Sequence, residues 1–156
     1  MCVMNVDHVL ATLGSHGLEF LLIGGMNFLL RHEPVLTFDI DVWIHDSASN
    51  LDRCEAAMSE LGASWGATDE VWRPVSEQPG WTRRQVVFCL VTPYGSVDIF
   101  RSVEGLGAWT DCLARSYKGK THAGTEYRGL SDQDMVACQM ALPIEIRKTS
   151  RIESLR

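Results

Sequence analysis

The chain has no apolar run near the roughly 20 residues needed to cross a bilayer, so no membrane span is expected. A basic leader is also missing. The opening residues MCVMNVDHVLATL carry Asp7 and no Lys or Arg, and read as a helix rather than a signal peptide. These absences predict a cytoplasmic protein with no membrane partner. No CxxC pair occurs, and the five cysteines (Cys2, Cys54, Cys89, Cys112, Cys138) are odd in number and scattered. That argues against a zinc cluster and a disulfide framework. Most are expected to be buried thiols acting as small hydrophobes. The five histidines show no HxxxH spacing, and there is no internal repeat or low-complexity segment.

An excess of positive charge is lacking too. The formal net charge of −6 disfavours a general nucleic-acid binder. The deficit is uneven: residues 1–100 hold 5 Lys and Arg against 13 Asp and Glu, residues 101–156 hold 9 against 7. The C-terminal part (Arg115, Lys118, Lys120, Arg128, Arg147, Lys148) could therefore face an anionic ligand or partner.

What remains is an ordinary globular composition, 46% hydrophobic and 22% charged over 156 residues. The length predicts a single domain, 1–156, with a core over about 18–101 and a C-terminal helical segment over about 130–156. Helices are expected over 3–13, 26–31, 50–61 (Ser47 or Ser49 as N-cap), 109–116 and the amphipathic tail. Strands are expected over 18–23, 36–44, 85–91 and 96–100, the last two as a hairpin around Pro93-Tyr94-Gly95. Residues 63–84 read as a loop with a short strand near 71–75, and Trp65, Trp72 and Trp81 as packing. Residues 120–128 read as two extended pieces around Ala123-Gly124. Ser131 and Asp134 form the Ser-x-x-Asp capping box of another helix.

The chemistry concentrates in residues 20–44. Over 37–44, Phe38, Ile40, Val42 and Ile44 alternate with Thr37, Asp39, Asp41 and Trp43. A period of two puts Asp39 and Asp41 on one strand face, roughly 7 Å apart. Like charges so placed repel, and a divalent cation is the obvious partner. Asp98 is a third carboxylate on an apolar strand. Three such carboxylates can hold two Mg²⁺ ions, with Mn²⁺ as an alternative, and clamp an in-line phosphoryl transfer. Upstream, Gly24-Gly25 at a helix start lets backbone N–H groups approach a phosphate.

IGGMNFLLRHEPVLTFDIDVWI (residues 23–44), followed by YGSVDIF (94–100), resembles the nucleotidyltransferase superfamily related to DNA polymerase β. The nearest likeness is to small prokaryotic members, including toxin-type AbiEii-like proteins. GLSDQDMVACQMALPIEIRK (129–148) resembles the helix that follows their core. The resemblance implies an α/β (α+β) nucleotidyltransferase fold, a small mixed sheet flanked by helices. It implies transfer of an NMP from an NTP to an acceptor hydroxyl, with pyrophosphate released. Asp39, Asp41 and Asp98 would be the catalytic and metal-binding residues, and Gly24, Gly25 and Thr37 would contact the nucleotide. Two positions depart from the pattern: Gly25 where many members have Ser, and Gln139 where toxin-type relatives often have Lys. Lys148 or Arg147 would then supply the triphosphate contact. The acceptor is open between a tRNA end, a protein and a small molecule, and a toxin–antitoxin or resistance setting is implied. An associated protein or a homodimer could add acceptor-binding surface.

The rivals are a non-catalytic nucleotide- or partner-binding domain of the same fold and a plain α/β domain whose aspartates face water. A haloacid-dehalogenase-type phosphatase fits poorly, because Trp43 stands two residues after Asp41 and the Gly-Gly would be unexplained. Metal-dependent glycosyltransferases with a DxD are generally longer.

Overall fold

The computed structural model describes residues 4–32, 39–68 and 70–155. Thr37 therefore lies outside the described residues, as do Cys2 and the start of the expected 36–44 strand. Helix α1 (Val6–Ser15) is capped by Asn5, whose side chain accepts from the His8 N–H. Strand β1 (Phe20–Ile23) runs directly into α2 (Gly24–Arg31), two residues earlier than the sequence pattern suggests. Then come β2 (Asp39–Ile44) and α3 (Ala48–Glu60), the latter capped by Ser47.

The tryptophan-rich stretch contributes two short strands, β3 (Ser64–Trp65) and β4 (Arg73–Pro74). Trp65 and Trp81 are buried edge-on against Phe88, at 5.3 and 4.9 Å between ring centroids. These two rings pack the core and line no ligand surface. The hairpin follows as β5 (Val87–Thr92) and β6 (Gly95–Phe100). Next are α4 (Trp109–Ala114), β7 (Tyr117–Lys120), β8 (Glu126–Gly129), α5 (Asp132–Met140) and α6 (Thr149–Leu155). Ser131 caps α5 by accepting from the Asp134 N–H, while the Asp134 carboxylate binds Arg115.

Among the described residues, eight strands form one mixed sheet in the order β4-β3-β5-β6-β2-β1-β8-β7. β2 is parallel to β6, β1 is parallel to β8, and the remaining pairs are antiparallel. Alternation splits the side chains of each strand between two faces. One face (Leu22, Ile40, Val42, Ile44, Phe88, Leu90, Val97, Ile99) packs with α1 and α3 in the larger core. The other (Leu21, Ile23, Trp43) packs with Trp109, Cys112, Leu130 and Met135 in a smaller one. That second face is only partly covered, and Val87 and Val91 remain 39% and 52% exposed on it. No helix among the described residues is long and apolar enough to cross a membrane.

Candidate functional site

The open part of the second face carries the aspartates. Asp41 pairs in register with Asp98 across the parallel β2–β6 contact, and Asp39 pairs with Ser96. Register partners on neighbouring strands point to the same face, about 4.8 Å apart at the backbone. All three carboxylates thus share one face, although Asp98 is 57 residues from Asp41 in the chain. Asp41 also faces Ile23 on β1, and Asp98 faces Cys89 on β5. The row Ile23–Asp41–Asp98–Cys89 therefore crosses four adjacent strands. Cys89 is exposed beside Asp98, contrary to the buried role expected of most cysteines.

Burial and the neighbouring Asp98 and Asp39 charges push the Asp41 carboxyl up to about 7. Asp98 is also raised, by burial and by Asp39, with hydrogen bonds from Asp41 and Cys89 opposing the shift. The two directions agree on one arrangement: without a cation and below about pH 7, Asp41 holds a proton and donates it in a hydrogen bond to Asp98. Asp41 Oδ1 is buried with no hydrogen-bond partner. An orphaned carboxylate oxygen in a cluster of like charges is what a hard cation would satisfy. Among the described residues no three His, Cys, Asp or Glu side chains already converge on one point. Mg²⁺ does not require that, because it keeps several waters and takes substrate oxygens alongside one or two carboxylates. The donor set fits such an ion, with Asp39, Asp41 and Asp98 as the residues that would hold it.

Gly24 begins α2 with φ +71°. A Cβ on it would run into Oδ2 of Asp41. The glycine is thus required twice, by its left-handed backbone and by its contact with the carboxylate. Gly25 is buried in the first turn of α2. Buried Asn27 and Arg31 fix the helix to the start of α5. Asn27 Nδ2 and Arg31 Nη1 donate to the Leu130 carbonyl at 3.0 and 3.1 Å, and Arg31 pairs with Asp132 at 2.9 Å. The α2 N-terminus is thereby held where a phosphate beside Asp41 would meet it.

Lys148 is exposed, and its backbone N–H donates to Gln139 Oε1. It does not line the cavity described below. Arg147 reaches back to the Leu142 and Met140 carbonyls at the end of α5. The cation beside the carboxylates is instead Arg151 of α6. Its guanidinium lies 5.7 Å from the Phe28 ring centroid. Burial pulls its pKa down while Asp41 works in the opposite direction. Sequence reasoning missed it, and the only available signal was its place in an amphipathic tail.

Beside this row opens a cavity of about 490 Å³. Its lining includes Ile23, Gly24, Val87 and Phe100, with Met135 from α5, Leu142 from the turn just after it, and Arg151 and Leu155 from α6.

This architecture is the nucleotidyltransferase fold, and solved structures share it. LnuA, a lincosamide antibiotic adenylyltransferase solved with lincomycin bound, matches with a TM-score of 0.66 at 12% identity, over 99% of this chain and 98% of that one. ANT(2″)-Ia, solved with adenylyl-2″-tobramycin, matches with a TM-score of 0.51 at 18% identity, over 95% and 82%. No family model matches the sequence, and no curated protein matches it by sequence. The two structural matches do not single out the toxin-type members.

Proposed function

We propose that this chain is a divalent-metal-dependent nucleotidyltransferase, moving an NMP from an NTP to an acceptor hydroxyl. The observation that supports it most is the register pairing of Asp41 with Asp98, on the same face as Asp39 and against the left-handed Gly24. A bound Mg²⁺ pair, or Mn²⁺, would supply charge neutralisation on the transferring phosphoryl group. Asp39 and Asp41, with Asp98, would hold those ions. The Gly24-Gly25 backbone and Arg151 bind the phosphates directly. Asp98, in register with Asp41 on the same face, takes the acceptor hydroxyl's proton. The acceptor oxygen then bonds to the α-phosphorus, the bond to the bridging oxygen breaks, and pyrophosphate leaves. Positioning and charge account for most of the rate.

LnuA and ANT(2″)-Ia carry an antibiotic and an adenylylated antibiotic in their structures. We take from them ATP as the first nucleotide to try and a small molecule as the acceptor class. A role in resistance follows from that choice more naturally than one in a toxin–antitoxin pair. The test is incubation with each labelled NTP, Mg²⁺ and cell extract, comparing wild type with Asp39→Ala/Asp41→Ala. Label should move to an acceptor, and the variant should lose at least about 10²–10³-fold of that transfer. A wild type that binds no NTP at millimolar Mg²⁺ overturns the proposal.

A further inference from the structure

We propose that a second hollow, lined by Trp109, Phe20, Lys118 and Arg128, binds a small carboxylic acid with a flat apolar body. The proposal is independent of the transferase reading and uses none of its residues.

Charge is the first argument. Lys118 and Arg128 stand directly opposite each other in the β7–β8 pairing, and Lys120 stands opposite Glu126. Like charges so placed repel, with Cβ atoms about 4.5–5.5 Å apart. Lys120 has its own acid, Glu126 at 3.9 Å, and Arg115 binds Asp134. Among the described residues Lys118 and Arg128 form no ion pair, and Arg128 reaches only the Ser116 hydroxyl, at 3.5 Å. An anion between the two would turn their repulsion into a site.

Place is the second. Leu22 on β1 aligns with Gly129, so Arg128 shares the face of Leu21, where α4 packs. The hollow there holds about 300 Å³ and shares no lining residue with the cavity beside the aspartates. Asp41 lies two strands away and one alternation step further on, opposite Ile23.

The lining then narrows the ligand. Trp109, Phe20, Leu18 and Leu113 supply an apolar wall. Trp109 is held from two sides: its Nε1 donates to the Trp43 carbonyl at 3.0 Å, and its ring stacks on His45 at 4.8 Å between centroids. A ring fixed in advance favours a flat partner. Two acids also line the hollow, Glu19 beside His45 and Glu126 beside Lys120. A dianionic phosphate would meet more repulsion from them than a single negative charge. A carboxylate also matches the fork of the Arg128 guanidinium, with Lys118 as the second donor. The volume is at the small end for ligand pockets and suits an indole-sized body.

The experiment titrates the full chain by calorimetry with indole-3-acetate, the neutral indole-3-acetamide, the amine tryptamine, acetate and inorganic phosphate. Saturable binding is expected for indole-3-acetate, weakening as salt rises. Each of the other probes should bind at least about tenfold more weakly, acetate because it lacks the ring and the others because they lack the single negative charge. Lys118→Met and Arg128→Met remove exposed charges and keep the aliphatic stems, and each should weaken binding at least about fivefold. Lys148→Met and Asp39→Ala/Asp41→Ala should leave it within about twofold, because neither touches the hollow. No saturable binding at millimolar indole-3-acetate, or equal binding of any other probe, overturns the proposal. So does unchanged affinity in Lys118→Met and Arg128→Met, or loss of binding in Asp39→Ala/Asp41→Ala. The probe series decides the matter even where a variant fails to fold.

Discussion

At Gly24 the backbone enters the left-handed region directly against the Asp41 carboxylate. Alanine there costs about 1–2 kcal/mol for the backbone alone, and its methyl must also displace Asp41. Gly24→Ala should therefore lower the melting temperature and remove transfer activity together, as calorimetry and a labelled-ATP assay on the same sample would record. Asp41 makes the opposite kind of prediction. Its folded pKa is raised to about 7 from an ordinary value of 3.8, so between these values the folded state holds more protons than the unfolded one. The stability contributed by the neutral form is complete below about pH 4 and is lost as pH rises through about 7. In EDTA, the melting temperature should fall over that range, and Asp41→Asn should flatten the fall. Adding Mg²⁺ at pH 8 should stabilise wild type and leave Asp41→Asn unchanged. The carboxylate pattern on β2 was legible in the sequence because it depends only on a period of two. Asp98 could be named there as a strand aspartate, but its register with Asp41 depends on a parallel pairing between distant segments that no local pattern encodes.

At the scale of elements, α2 and α6 bring Gly24 and Arg151 to the sheet beside Asp41. Their existence was readable from Pro34 beyond one and the amphipathic tail of the other. Which cation α6 delivers was not. Lys148 precedes Arg151 by three residues, nearly a full helical turn, and the rotation that turns Arg151 toward Phe28 is set by packing on α5. Gln139, standing where a Lys was expected, accepts from the Lys148 N–H instead. Arg151→Ala should raise the KM for ATP about 10–100-fold, the range for losing a charged hydrogen bond of roughly 1.5–3 kcal/mol. Lys148→Ala should change it less than threefold. Steady-state kinetics on the two variants checks the assignment, and equal effects would contradict it. The cavity itself was invisible in the sequence, because Val87, Phe100, Met135 and Leu155 meet only when β5, β6, α5 and α6 are assembled.

For the whole molecule, the two faces of one sheet divide the work. One is closed by α1 and α3 and holds the larger core. The other is left partly open, and there three carboxylates crowd together. A half-buried cluster of like charges weakens the fold unless a ligand's charge offsets it. The chain's net charge of −6 adds to the attraction for cations. The most direct test of the central claim, that Asp39, Asp41 and Asp98 together hold divalent metal and nucleotide, is Mn²⁺ binding followed by electron paramagnetic resonance. It would be run with a non-hydrolysable ATP analogue on wild type, Asp39→Asn and Asp98→Asn. The account predicts two Mn²⁺ per chain in wild type with the analogue present, and loss of at least one in each variant. Equal Mn²⁺ binding in all three proteins would contradict it.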